Sequence, residues 1–156
     1  MPHIHEKIDF TSEVFIVFNN RVLLRKHDKY KIWLGVGGHI ELDEDPPAAA
    51  IREVKEEVGL DVILHNGDDE SGRFKSSRWR SLVRPEFVNR HFVNDAHEHI
   101  TFVFFAKAKT DKLNLSDTEV SGGCRWFSMD DLESDKEIHE QIRFYAKKAL
   151  EAFSGK

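Results

Sequence analysis

The stretch Gly38–Leu60, GHIELDEDPPAAAIREVKEEVGL, decides the reading of this chain. Seven of its side chains are acidic (Glu41, Asp43, Glu44, Asp45, Glu53, Glu56 and Glu57) and two are basic (Arg52 and Lys55). The local charge of −5 equals the formal net charge of the whole 156-residue chain, so everything outside the segment sums to zero. Carboxylates crowded this closely repel one another unless cations sit among them. Hard divalent ions, which take oxygen ligands, are the natural partners.

Local signals give the segment its shape. Asp45 followed by Pro46 and Pro47 predicts a helix start: a capping carboxylate, then prolines where a missing N–H costs nothing. Gly59 predicts the stop, since glycine tolerates the left-handed conformation just past the last turn. At about 100° per residue, Pro47, Ala50, Ile51, Val54 and Val58 share one stripe that faces a core. Glu53, Glu56 and Glu57 fall on the adjoining stripe, one turn apart. Three glutamates alone are better explained by a solvated helix face. The flanking glycines, Glu44 and Arg52 weaken that explanation.

With those residues included, the segment resembles the signature of the Nudix hydrolase family, G-x5-E-x7-R-E-U-x-E-E-x-G-U, where U is a bulky aliphatic residue. Gly38, Glu44, Arg52, Glu53, Val54, Glu56, Glu57, Gly59 and Leu60 occupy all nine defined places. The resemblance implies hydrolysis of a nucleoside diphosphate linked to another group, by water attack on phosphorus, with Mg2+ (or Mn2+) as cofactor. A diphosphate repels an incoming nucleophile by its charge; magnesium, with about six oxygen ligands, neutralises that charge and eases loss of a proton from water. Carried over place by place, Glu53, Glu56 and Glu57 would be metal ligands, with Glu44 an auxiliary one through water and the Gly38 carbonyl another. Arg52 would hold a ligating glutamate by a charge-assisted bond. In many relatives the general base lies outside the signature. Here Glu98, flanked by His97 and His99, is the first candidate, Glu119 the second, and Glu53 itself a third. Arg52, Glu53, Glu57 and Glu98 thus form the expected catalytic set, the plain alternative for Glu98 being an ordinary loop acid.

The rest of the chain sets limits. At 156 residues it reads as a single domain, residues 1–156, that buries roughly 70% of its unfolded surface. The N-terminal MPHIHEKIDF is charged and is no secretory signal, and no apolar run approaches a membrane span. The lone Cys124 cannot form an internal disulfide, which fits a cytoplasmic protein. Nine histidines without a His-x3-His spacing argue against a dedicated zinc site.

Alternating patterns predict strands at Glu13–Phe18 and Arg21–Lys26 about an Asn19-Asn20 hairpin turn. Lys31–Leu34 leads to a Gly35–Gly38 turn, and His39–Leu42 is extended. Strands follow the helix at Asp61–His65, within Trp79–Val93 (broken by Pro85), at Ile100–Ala108 and at Arg125–Phe127. A helical turn at Met129–Leu132 and a helix from about Lys136 to Phe153 close the chain. A mixed sheet between two helices is an α/β/α sandwich, also the fold that the resemblance implies.

The substrate is written less clearly. Arg73, Lys75, Arg78, Arg80, Arg84 and Arg90, opposed by Glu86 alone, interleave with Trp79 and Phe87. Arginine forks bind phosphates and aromatic rings stack on bases, so Arg78, Trp79 and Arg84 are substrate candidates, as is Arg25. A solvated insertion explains the same loop. The proline of ADP-ribose-type relatives, the tyrosine of dinucleoside polyphosphate relatives and the SQPWPFPxS element of NADH-type relatives are missing. That leaves a nucleoside triphosphate, a damaged nucleotide or a nucleotide sugar, a small-molecule substrate, with a homodimer left open. Rival readings are an RNA 5′-end pyrophosphohydrolase, a nucleotide-sensing module that does not hydrolyse, and an isopentenyl diphosphate isomerase relying on Cys124.

Overall fold

The computed structural model describes residues 7–67, 72–115 and 123–155. Its frame is a parallel pair at the centre of one mixed sheet. Strand β1 (Ile8–Phe18) runs beside β7 (His97–Ala108) in register from Ile8↔Glu98 to Val17↔Lys107. Each strand of this pair divides its outer edge between two partners. The upper half of β1 pairs with β2 (Arg21–Lys26), and its lower half with β4 (Val36–His39). In the same way β7 pairs with β6 (Phe87–Asn94) along its first half and β5 (Val62–Leu64) along its last residues. Strands β3 (Trp33–Leu34) and β8 (Cys124–Phe127) both add to β2.

Alternation along β1 and β7 sends successive side chains to opposite faces. Val14, Ile16, Phe104 and Ala106 pack with Ala50, Val54 and Val58 of helix α1 (Pro46–Val58). Phe15, Val17, Val103 and Phe105 pack with Ile142, Ala146 and Leu150 of helix α3 (Glu140–Phe153), with the short α2 (Met129–Ser134) alongside. Two helical layers thus sandwich one sheet, as expected.

The hairpin and the signature helix match their local signals. Asn19 and Asn20 take φ of 46° and 57°, the left-handed pair of a type I′ turn. Asp45 caps α1 by accepting from the Ala48 N–H, and Gly59 ends it at φ 70°. Other boundaries differ. β1 begins five residues earlier than the apolar pattern predicts, because its polar half is held by pairing with β4 and β7. The Gly35–Gly38 segment is largely strand rather than turn, and β6 begins only beyond Pro85. The last helix starts at Glu140, after Arg143 fixes the preceding loop by donating to the Leu132 and Asp135 carbonyls. Ile51 was expected in the core but is 46% exposed. The buried face of α1 centres between Ala50 and Val54, from which Ile51 lies about 80° away and Glu57 only about 40°. Cys124 is partly exposed on β8, directly opposite Arg25.

Candidate active site

Arg52 gathers three of the four signature carboxylates. Its Nε and Nη2 donate to the two oxygens of Glu44 at 3.0 and 2.6 Å, a two-pronged fork. Its Nη1 donates to Glu53 Oε1 at 2.9 Å and to Glu56 Oε2, one turn along, at 3.0 Å. Nη2 also donates to the His39 carbonyl at 3.0 Å, which pins the arginine to the end of β4. The fork holds the Glu44 carboxyl below its usual range, and the carboxylates raise the guanidinium's own pKa. Burial pushes Glu53 up, against the opposing pull of Arg52.

Glu57 is held by other groups. It is 8% exposed, accepting from the Gly37 N–H at 3.2 Å, while Arg25 Nη2 lies 3.1 Å from its other oxygen. Strand β4 passes so close to the helix that a Cβ on Gly38 would sit 2.5 Å from Glu53 Oε1. Ser12 Oγ fixes the start of the helix against β1 by donating to the Pro46 carbonyl at 2.9 Å.

The donor set suits a hard divalent ion. Glu44, Glu53, Glu56 and Glu57 bring four negative charges, against which the structure sets the guanidiniums of Arg52 and Arg25. Two negative charges are left over, beside carboxylate oxygens and a glycine backbone with no side chain in the way.

The remaining expected residues have other partners. Glu98 is buried at the start of β7, its two oxygens forked by Arg90 Nε and Nη2 at 2.5 and 3.0 Å and approached by Lys7 at 3.6 Å. The Arg90 fork holds its carboxyl below the ordinary value. Glu119 lies outside the described residues. The basic loop is not one uniform patch. Arg90 is engaged with Glu98, and Arg80 donates to Asp45 at 3.0 Å, docking the loop on the start of α1. Arg78 and Arg84 are exposed. Trp79, 67% exposed, lines a cleft of about 540 Å³ with Arg73, Phe74, Lys75 and Ser76.

Two groups on the α3 face of the sheet went unforeseen. Glu13 accepts from the Gly35 N–H at 2.8 Å, and burial pushes its carboxyl up to about 7. Asp9, His39, His97 and His99 cluster with one ligand-type atom from each within 4.8 Å of all the others. Burial and the neighbouring imidazoles of His39, His91 and His97 push His99 down to about 4. A His-x3-His spacing does not capture this gathering, which joins His39 of β4 and Asp9 of β1 to His97 and His99 of β7. The signal was present as alternation: Asp9, Thr11 and Glu13 mark one face of β1 as polar before Phe15 and Val17 make it apolar.

With this geometry in place, comparison with known proteins is direct. A model of the NUDIX domain matches residues 11–148. The structure of a NUDIX-family hydrolase from Clostridium perfringens is 38% identical, covers 92% of this chain and 96% of its own, and superposes with a TM-score of 0.84. A UDP-X diphosphatase, 18% identical, shares the fold with a TM-score of 0.64 over 94% of this chain and 64% of its own. Among curated proteins, the Escherichia coli (strain K12) dihydroneopterin triphosphate diphosphatase is 45% identical over 42 residues. That match spans 27% of this chain and only 28% of the relative. The chain belongs to the Nudix family, and is a hydrolase of that family. Among the described residues no helix is long and apolar enough to cross a membrane.

Proposed function

We propose that this hydrolase cleaves the diphosphate bond of a nucleoside triphosphate, or of a related heteroaromatic triphosphate, with a divalent cation, Mg2+ or Mn2+, as cofactor. The observation that carries the reading is the charge balance at the signature: three carboxylates held by Arg52 and a fourth, Glu57, faced by Arg25, leave a net charge of the right sign and size for one such ion.

Glu53, Glu56, Glu57 and the Gly38 carbonyl would hold the cation, with Glu44 behind them. When bound, it neutralises the diphosphate and makes water easier to deprotonate. Arg52 fixes three of the carboxylates at once, and Arg25 fixes the fourth, so Arg25 acts on Glu57 rather than on phosphate. Glu53 is the group we assign to take the proton from the attacking water. It stands among the proposed cation ligands, against Gly38 of β4, and burial raises its carboxyl; Glu98 instead takes both prongs of the Arg90 fork. Trp79 offers an exposed ring for a heteroaromatic base, with Arg78 and Arg84 nearby in sequence for phosphate oxygens. The dihydroneopterin triphosphate diphosphatase, similar over a short stretch, supports the triphosphate end of the range.

The test is a product panel over nucleoside triphosphates, oxidised nucleotides, pterin triphosphates and nucleotide sugars, with Mg2+ or Mn2+, read by phosphorus NMR. Diphosphate-bond cleavage of at least one triphosphate, reduced by orders of magnitude in Glu57→Gln, is the expected result. A folded protein that cleaves none of them with either ion would refute the reading.

A further inference from the structure

We propose that Asp9, His39, His97 and His99 form a second metal site, built for a zinc-class transition ion and separate from the signature carboxylates. The four residues come from three neighbouring strands, β1, β4 and β7, at the polar end of the central pair. Asp9 is 4% exposed, and the Nε2 atoms of His39 and His97 are buried. A buried carboxylate faced by imidazoles is a borderline-soft donor set of the kind zinc selects, and unlike the all-oxygen set at the signature.

The spacing is the stronger point. Zinc bonds imidazole nitrogen at about 2.0–2.1 Å, so neighbouring ligand atoms on a tetrahedron stand about 3.3 Å apart. Asp9 Oδ2 lies 3.2 Å from His97 Nε2 and 3.5 Å from His39 Nε2, close to that edge length. His99 completes the set: the four ligand atoms all lie within 4.8 Å, and its ring centroid is 5.1 Å from that of His39 and 5.2 Å from that of His97. Contraction by about 1.5 Å along the longest edge, within reach of side-chain torsions, closes the tetrahedron.

The two sites meet at β4 but on opposite faces. Gly38 pairs with Ser12, whose hydroxyl reaches the start of α1, and borders Glu53; His39 pairs with Thr11, whose hydroxyl bonds Thr101 across the other face. With four protein ligands and no open position, the second site is structural in type. It would clip together three strands, including the one whose glycines border the signature carboxylates.

The test titrates metal-stripped full-length protein with Zn2+ and Co2+, in wild type, Glu53→Gln/Glu57→Gln and His97→Ala/His99→Ala. Expected is one tight zinc equivalent that survives the Glu53→Gln/Glu57→Gln change and excess Mg2+, a rise in Tm on zinc binding, and visible Co2+ bands of tetrahedral type. In His97→Ala/His99→Ala the zinc affinity should fall by about 100-fold or more and the Co2+ bands should vanish. If that variant does not fold, His39→Ala, at the solvent side of the cluster, serves in its place. Zinc uptake unchanged by the histidine substitutions, or no tight uptake by wild type, would overturn the proposal. Neither result bears on hydrolysis at the signature, which the product panel tests separately.

Discussion

Glu13→Gln should make the protein more stable at neutral pH and should remove part of its pH dependence. Glu13 is a carboxyl on the central strand with one backbone donor, the Gly35 N–H, and burial raises its pKa from 4.5 to about 7. The folded state therefore favours the protonated form more than the unfolded chain does. The stabilisation is fully present below about pH 4.5 and is lost as pH rises through about 7. At about 1.4 kcal/mol per tenfold, the full difference is about 3 kcal/mol, which partial solvent contact reduces to on the order of 2–3 kcal/mol. For a domain of this size each kcal/mol moves Tm by about 2–4 °C, so the swing is about 5–10 °C. The assay is thermal unfolding of both proteins between pH 4.5 and 8, with chelator present so that no metal contributes. Subtracting the two curves isolates Glu13 from the other titrating groups. The variant should match wild type near and below pH 4.5, gain on it between about pH 5 and 7, and hold that gain unchanged above about pH 7. A difference curve flat across this range, or one of opposite slope, would refute the burial argument.

Two further outcomes follow from the site. Arg52→Ala removes the single group that spans Glu44, Glu53 and Glu56, and should weaken Mg2+ affinity by about 10–100-fold; Arg52→Lys should not rescue it, because a point charge cannot reproduce the fork. Retained affinity in either variant, by calorimetry, would show that the carboxylates organise themselves. Glu98→Gln should lower Tm, by breaking the Arg90 fork, yet leave kcat within about tenfold of wild type at temperatures where it is folded. A fall of several orders of magnitude with Tm unchanged would make Glu98 the base after all.

What could be read in advance divides along a physical line. Helix α1 was legible because its punctuation is local: Asp45, Pro46, Pro47 and Gly59 each act within a turn of their own position. The Asn19-Asn20 hairpin was legible for the same reason. The lower half of β1 was not, since Asp9, Thr11 and Glu13 look like loop residues until β4 and β7 supply their ladder bonds. The exchange of Ile51 for Glu57 at the core edge turned on the angular centre of the buried stripe, which depends on how the helix sits on the sheet. Charge partners were the hardest. Arg25 read as a phosphate contact and Arg90 as one member of a basic stretch, and neither reading named the buried glutamate that each faces in space. The histidine cluster was invisible to spacing because β1 lies between β4 and β7, so that its pairing with each brings His39 and Asp9 beside His97 and His99.

The most direct measurement is the uptake of Mg2+ by the folded protein, by calorimetry, with and without a non-hydrolysable triphosphate. Wild type should bind the ion, more tightly when the nucleotide is present, and Glu53→Gln/Glu57→Gln should lose that binding while keeping its fold. Equal uptake by the two proteins, or none by either, would mean that the acids around Arg52 gather no cation and that the chemistry lies elsewhere.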